Sequence, residues 1–301
     1  MLPAALPFGA SAEDTYTVTF DPNGVDYEFP SFEVQAGKSL YNCGFDYRLV
    51  FYTPESDHND YIVVGDKVID DWYLDPECTQ WCSFSDYEFT KDTTLYARWV
   101  KAIKEVRADF NPKAAGLTRD EFFSSNFSVP TPDGDNYYID IEDSDIYDVE
   151  ADHWLDSDEV LQEGKTYTVE LDFDDIYDDE LNRSVTKFAY GSNFKNYLNG
   201  VDLTEYCDES EWIYFSFVCK SYRLGDVNDD GNINTQDALL SVRYAKKTLE
   251  PTNDKQKGAA DVNEDGKLDT KDSMMIINAA KTRTDPFFKV NAPIYGDFGV
   301  A

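Results

Sequence analysis

The sequence predicts a multi-domain chain, β-rich over its first two thirds and α-helical at its C-terminal end, and three observations carry that reading. Up to about residue 223 it is dense in Tyr and Phe, 21 and 20 of the 301 residues overall, in short alternating runs with little helical periodicity. Further on, two acidic loops of one pattern recur 35 residues apart, which marks a tandem repeat. After each loop apolar residues fall at helical spacing: Ala238, Leu239, Val242, Tyr244 and Ala245, then Met274, Met275, Ile276, Ile277 and Ala279.

Residues 1–12 read as the remnant of a secretory signal peptide. Leu2 to Ala12 is apolar and small and closes on Ala10-Ser11-Ala12, a signal-peptidase pattern, ahead of polar Glu13-Asp14. A first β module spans 13–100. It opens on the alternating strand Tyr16-Thr-Val18-Thr-Phe20, runs into the turn Asp21-Pro22-Asn23-Gly24, and closes on the strand Thr93-Thr94-Leu95-Tyr96-Ala97-Arg98-Trp99. These ends resemble the Listeria and Bacteroides (internalin-type B) surface repeat, which implies a small β-grasp-like sheet with one helix, used as a stalk or adhesive module. The interior is longer than the usual repeat. Trp72 and Trp81 fall in that insert and are candidate glycan contacts, because exposed aromatic faces stack on pyranose rings. Tyr73, Trp154, Trp212 and Tyr137-Tyr138 are further candidates, whereas Trp99 and Tyr167 are in phase with buried strand faces.

A second β module spans 101–223. Its clearest strand is Thr166 to Asp172, where Tyr167, Val169 and Leu171 alternate with Thr168, Glu170 and Asp172 after the turn Glu163-Gly164-Lys165. Tyr137 to Ile141 and Trp212 to Cys219 also read as strands. A tryptophan, then this strand, then Asn199-Gly200 resembles the immunoglobulin-like repeats of extracellular proteins, which implies an immunoglobulin-like β-sandwich. Asp140 to Glu180 holds 18 acids and one Lys. It is read as a solvated surface, since no loop with calcium-ligand order occurs in it.

Residues 224–283 carry the most specific chemistry. The first loop places Asp226, Asn228, Asp230, Asn234 and Asp237 at positions 1, 3, 5, 9 and 12; the second places Asp261, Asn263, Asp265, Asp269 and Asp272 there. Gly231 and Gly266 stand at position 6, and Asn232 and Lys267 at position 7, where only the backbone carbonyl is needed. This is the ligand order of an EF-hand calcium loop, with the glycine permitting a sharp turn around the ion, and two loops imply two Ca2+ ions. Ile233 and Leu268, at position 8, are placed for a short strand contact between the loops. Position 12 is Asp rather than Glu, and the residues before Asp226 read as strand and connector, so entering helices are not expected.

Loop then helix, twice, over about Gly225 to Thr282 closely resembles a type I dockerin, a small all-α domain with two EF-hand-like calcium loops. The resemblance implies a cohesin module of a scaffoldin as partner. By position, Thr235, Gln236, Thr270 and Lys271 would contact it, with Arg243, Lys246 and Lys247 on the first helix. It also implies an extracellular, cellulosome-like assembly, attached to a cell surface through the scaffoldin. The tail, 284–301, contains Pro286-Phe287-Phe288, Tyr295 and Phe298. Either one of these aromatics packs back near Tyr222, as dockerin termini often do, or the end is unstructured.

With 60 acidic and 26 basic residues the formal charge is -34 and the pI about 4.1, which argues against nucleic acid or anionic membranes as partners. No stretch has the length of a membrane-inserting helix. His58 and His153 sit in acidic surroundings, and no H-E-x-x-H, G-x-S-x-G or glycine-rich phosphate loop occurs. The chain is therefore read as non-catalytic, with polysaccharide a further partner of its β modules. The alternative is a secreted glycan-degrading enzyme, whose two carboxylates composition alone would supply. Among five cysteines, Cys207 with Cys219 and Cys78 with Cys82 could pair, or all, Cys43 included, stay reduced.

Overall fold

The structure, a computed structural model, describes residues 14–54, 60–130, 136–178, 180–191, 194–207, 211–282 and 285–295. The expected leader, His58 and Phe298 lie outside the described residues. The chain divides into two compact units, 1–104 with 177–192 and 105–176 with 193–301.

In the first unit, β1 (Thr15–Asp21), β2 (Phe32–Gln35), β3 (Val63–Val64), β4 (Lys67–Tyr73) and β5 (Thr93–Ile103) lie in the order β2-β1-β5-β4-β3, and the central pair β1 and β5 is parallel. Alternation along β1 sends Val18 and Phe20 into a core with Val34, Leu40, Val50, Phe89 and Leu95; the short helix α1 (Arg48–Phe51) supplies Val50. The unit also takes in chain from well beyond residue 100. The paired strands β11 (Tyr177–Asp178) and β12 (Arg183–Ser184) belong to it, and β13 (Thr186–Phe188) pairs in parallel with Lys101–Ile103 of β5. The compact units therefore do not part at the expected boundary of the two modules.

Trp72 requires a correction. β4 bulges between Ile69 and Asp71, which brings Trp72 to the same face as Ile69 and into the core, while Val68 packs in a separate cluster with Val100 and Ala189. Trp72 is 0% exposed, edge-on to Phe20 at 4.9 Å and to Phe29 at 4.8 Å, where no glycan reaches it. Trp81 is 57% exposed, and its indole N–H donates to Asp71 Oδ2 at 2.6 Å. Of the other aromatic candidates, Tyr73 and Tyr137 are buried, while Tyr138 and Trp154 are exposed.

The second unit packs two four-stranded sheets. One is antiparallel: β16 (Ile213–Val218), β10 (Thr166–Asp175), β8 (Tyr137–Asp148), β9 (His153–Trp154). The other runs β15 (Val201–Asp202), β14 (Lys195–Leu198), β6 (Glu105–Phe110), β7 (Phe127–Ser128), with β14 and β6 parallel. Phe110 of β6 meets Phe215 and Phe217 of β16 at 5.2 and 5.1 Å and Phe127 at 4.8 Å, so phenylalanine rings fill the space between the sheets. Helix α2 (Arg119–Asn126), not expected from the sequence, adds Phe122 to them. It starts at Thr118, whose hydroxyl accepts from the Glu121 N–H while the Glu121 carboxylate accepts from the Thr118 N–H. Asn199 and Gly200 make a two-residue hairpin, both with positive φ (50° and 76°). The Asn199 amide also pairs with both backbone groups of Phe110, at 2.7 and 2.8 Å.

Tyr167, Val169 and Leu171 of β10 enter the core as expected, but the other face of the strand is covered too. The tail after the helices returns across it: Asn291 and Ser216 exchange backbone hydrogen bonds at 2.8 and 2.9 Å, the Ile294 N–H donates to Thr168 and Ser216 hydroxyls, and the Tyr295 hydroxyl donates to Glu170 at 2.7 Å. The acid-rich run is consequently not all solvated surface. Asp148 is buried with Lys165 at 2.7 Å, and Asp172 is buried where β8 and β10 slip register. None of the five cysteines forms a disulfide; four are buried and Cys43 is half-buried.

Three C-terminal helices close the unit: α3 (Thr235–Ala245), α4 (Asp254–Ala260) and α5 (Thr270–Thr282). Their core holds Leu224, Val227, Tyr244, Val262, Ile276 and, from the tail, Phe287, which packs back as one of the two expectations had it, with half-buried Tyr222 at the margin. Helix α4 leads into the second loop, so only the first lacks an entering helix. No described helix is long and apolar enough to cross a membrane.

Candidate metal centre

The Asp226 carboxylate organises the first loop. It accepts the Asp230 N–H on Oδ1 (3.0 Å) and the Gly231 N–H on Oδ2 (2.9 Å), a geometry that Gly231 reaches with φ +86°. At the far end Asp237 accepts the N–H groups of Asn228 (3.0 Å) and Asn234 (2.9 Å), joining positions 3 and 9. Asp237 is also the third residue of α3 and Asn234 its N-cap, whose side chain accepts from the Gln236 N–H at 2.7 Å. Loop closure and helix start are thus one capping box, and the helix N-terminus favours the negative charge at position 12.

One carboxylate oxygen each from Asp226, Asp230 and Asp237 lie within 4.8 Å of one another. Burial pushes the Asp226 carboxyl above the usual range and the facing Asp237 and Asp230 push the same way, against the two N–H donors. Hydrogen bonds, chiefly from the Asn228 amide, hold Asp230 below it. Converging carboxylates, the amide oxygens of Asn228 and Asn234 and the carbonyl of Asn232 make an all-oxygen set. That chemistry suits a hard divalent cation, which would relieve the repulsion, and it fits calcium.

The second loop repeats the frame. Asp261 accepts from the N–H groups of Asp265 (3.1 Å) and Gly266 (2.8 Å), Asp272 from those of Asn263 (3.4 Å) and Asp269 (3.1 Å), and Asp269 from that of Lys271 (2.7 Å). At position 7, Asn232 and Lys267 each donate their N–H to the carboxylate at position 5, both at 3.0 Å. Burial, then Asp272, raise Asp261. Its carboxylates converge less tightly: of the two loops, the first alone gathers three carboxylates within 4.8 Å of one another. Ile233 and Leu268 both pack on the helical core, but no strand joins them among the described residues.

Thr235, Gln236, Thr270 and Lys271 lie exposed on the first turns of α3 and α5, and Arg243, Lys246 and Lys247 exposed at the end of α3. Sequence reasoning placed Leu239 and Met274 on helices but passed over their exposure, 52% and 70%. They occupy the same place in the two repeats, and the available signal was an apolar side chain beside, not within, the buried positions Ala238 and Ser273.

A second acidic gathering lies in the sheet, where carboxylate oxygens of Asp140, Asp143 and Asp172 also come within 4.8 Å of one another. Burial above all pushes Asp172 up to about 7, with Glu211, Asp174 and Asp140 adding to it and the Phe173 N–H opposing.

No match was found among curated proteins or among solved structures. Residues 224–279, which span both loops, α3, α4 and most of α5, match the family model of the dockerin type I domain.

Proposed function

We propose that the chain is an exported, non-catalytic component of a cellulosome-like assembly, docked to a cohesin module of a scaffoldin by a dockerin that holds two calcium ions. The observation that carries this reading is the duplicated frame, in which Asp226 with Asp237, and again Asp261 with Asp272, gather four backbone N–H groups. Calcium in the loops would fix the first turns of α3 and α5 and so the exposed pairs Thr235-Gln236 and Thr270-Lys271. Leu239 and Met274 then offer apolar contact inside a polar rim, and Arg243, Lys246 and Lys247 offer positive charge on an otherwise acidic chain, a composition suited to a protein partner. The test is capture by a panel of cohesins in calcium and in EDTA. Asp226→Ala combined with Asp261→Ala should abolish capture, and undiminished capture in EDTA would refute the calcium assignment.

The β units are read as spacer, adhesin or carbohydrate-contacting parts. Support for a surface-repeat module is the β-grasp-like order, with the first and last expected strands parallel at the centre. Support for carbohydrate contact is a cleft of about 290 Å3 walled by the exposed Tyr41, Tyr47 and Trp81, with Asp71 and Ser83 at its edge. Aromatic faces beside hydrogen-bonding groups suit a neutral pyranose. Affinity gels with plant polysaccharides should retard the parent chain and not Trp81→Ala, with no reducing ends released. Release that disappears on a single carboxylate substitution would favour the glycan-degrading enzyme instead.

A further inference from the structure

Position 4 of each loop supplies no ligand, yet in both copies its carboxylate is held. Asp229 and Glu264 both stand in the left-handed region, with φ 62° and 57°. Lys113 Nζ reaches Asp229 Oδ1 at 2.6 Å, Lys220 binds Glu264 Oε1, and Lys289 of the tail binds Glu264 Oε2 at 2.7 Å. Lys113 and Lys220 are not independent. They form a parallel β-bridge, and the N–H groups of Ala114 and Ala115 both donate to the Lys220 carbonyl, at 2.9 and 3.0 Å. One backbone feature, reached directly from β6 and from β16, therefore holds both loops.

Apolar contacts tie the same two parts together, which matters because exposed ion pairs contribute little alone. Phe287 and Phe288 are consecutive and face different parts: Phe287 is 4% exposed among the helices, and the half-buried Phe288 ring lies 6.0 Å from that of Phe110 of β6. Gly225 admits Phe287, since a Cβ there would fall 2.7 Å from the ring. Arg223 completes the junction, donating to Asp285 at 2.7 Å and to the Gly231 carbonyl of the first loop at 3.2 Å.

From this geometry we infer that the sandwich and the two-loop domain open as one unit, so that calcium held by the loops stabilises strands β10 and β16 of the sandwich. The inference rests on the calcium reading above. A cation that binds only the closed form suppresses opening by a factor of 1 + [Ca]/Kd, about a hundredfold per site at a concentration 100 times Kd, and a joined unit passes that factor to its distant strands.

The test is hydrogen exchange of the full chain, followed by mass spectrometry of peptides covering 166–175, 213–218 and the two loops, in calcium and in EDTA. The expected result is exchange at least tenfold faster in EDTA in the strand peptides as well as in the loops. In Lys113→Met with Lys220→Met, and separately in Phe288→Ala, calcium should still protect the loops while its effect on the strands shrinks; Lys113→Arg with Lys220→Arg should restore it. Calcium-dependent protection confined to the loops of the parent would overturn the inference and leave the calcium reading standing. Loops indifferent to calcium would overturn both.

Discussion

Replacing Asp172 by Asn should stabilise the protein, by an amount that grows as the pH rises above 3.8 and levels off above about 7. Asp172 is 7% exposed, and burial raises its carboxyl from the ordinary 3.8 to about 7. Below 3.8 the folded and unfolded chains both carry the proton, and burial of the neutral acid adds no ionisation penalty. Between 3.8 and about 7 the unfolded chain releases the proton while the folded one keeps it, so stability falls as pH rises. Above about 7 the full penalty stands. A displacement of that size, at about 1.4 kcal/mol per tenfold change in proton affinity, sets a ceiling of about 4 kcal/mol. Asp140, Asp174 and Glu211 share in it, so about 2 kcal/mol is expected at pH 8. Asparagine keeps an oxygen for the Phe173 N–H, which Asp172 Oδ1 accepts at 2.9 Å. The assay is urea unfolding of parent and variant from pH 4 to 8 at fixed calcium, taking the difference between the two so that the other carboxylates cancel. A difference that does not grow with pH, or a variant less stable at pH 8, would refute the reasoning.

Three further outcomes are expected. Gly258→Ala puts a Cβ 2.4 Å from Tyr222 Cζ, so the ring must move, and calcium-loaded thermal unfolding should show a loss of about 1–3 kcal/mol; an unchanged midpoint would contradict the packing. Asn199→Ala removes both side-chain hydrogen bonds to Phe110 and leaves alanine at φ 50°, for a loss of about 2 kcal/mol in denaturant titration. Burial pushes the Cys82 and Cys219 thiols up to about 12, so iodoacetamide at neutral pH should modify half-buried Cys43 well before either; rapid labelling of Cys219 in the folded chain would count against its burial.

The loops were legible because their demands fall on residue types at fixed spacing, whatever surrounds them: oxygen donors at five positions and glycine at the sixth. Strand β10 was legible through Tyr167, Val169 and Leu171, although nothing local announced that the tail would cover Thr168 as well. Helix α2 offers periodicity too little to work on, with only Phe122, Phe123 and Asn126 buried, yet Thr118 and Glu121 already carried its capping signature. In α4 the glycine at 258, which makes room for Tyr222, breaks the helical pattern. Trp72 misled because the bulge at Ile69/Asp71 shifts the phase of β4, and a bulge has no composition of its own here. The pairing of Thr186–Phe188 with Lys101–Ile103 joins segments some 85 residues apart, which no local pattern encodes.

The backbone exchange between Asn291 and Ser216 has a bearing on handling the protein. β16 is the outermost strand of its sheet, and its free side would otherwise present unpaired N–H and C=O groups to any extended chain nearby. The returning tail occupies part of that side. A version cut after Val290 would keep every loop ligand and Phe287 in the helical core and still expose a strand rich in aromatic residues, Ile213-Tyr-Phe-Ser-Phe-Val218, to edge-to-edge pairing. Self-association in such a truncated protein would report a lost edge guard and not a damaged dockerin.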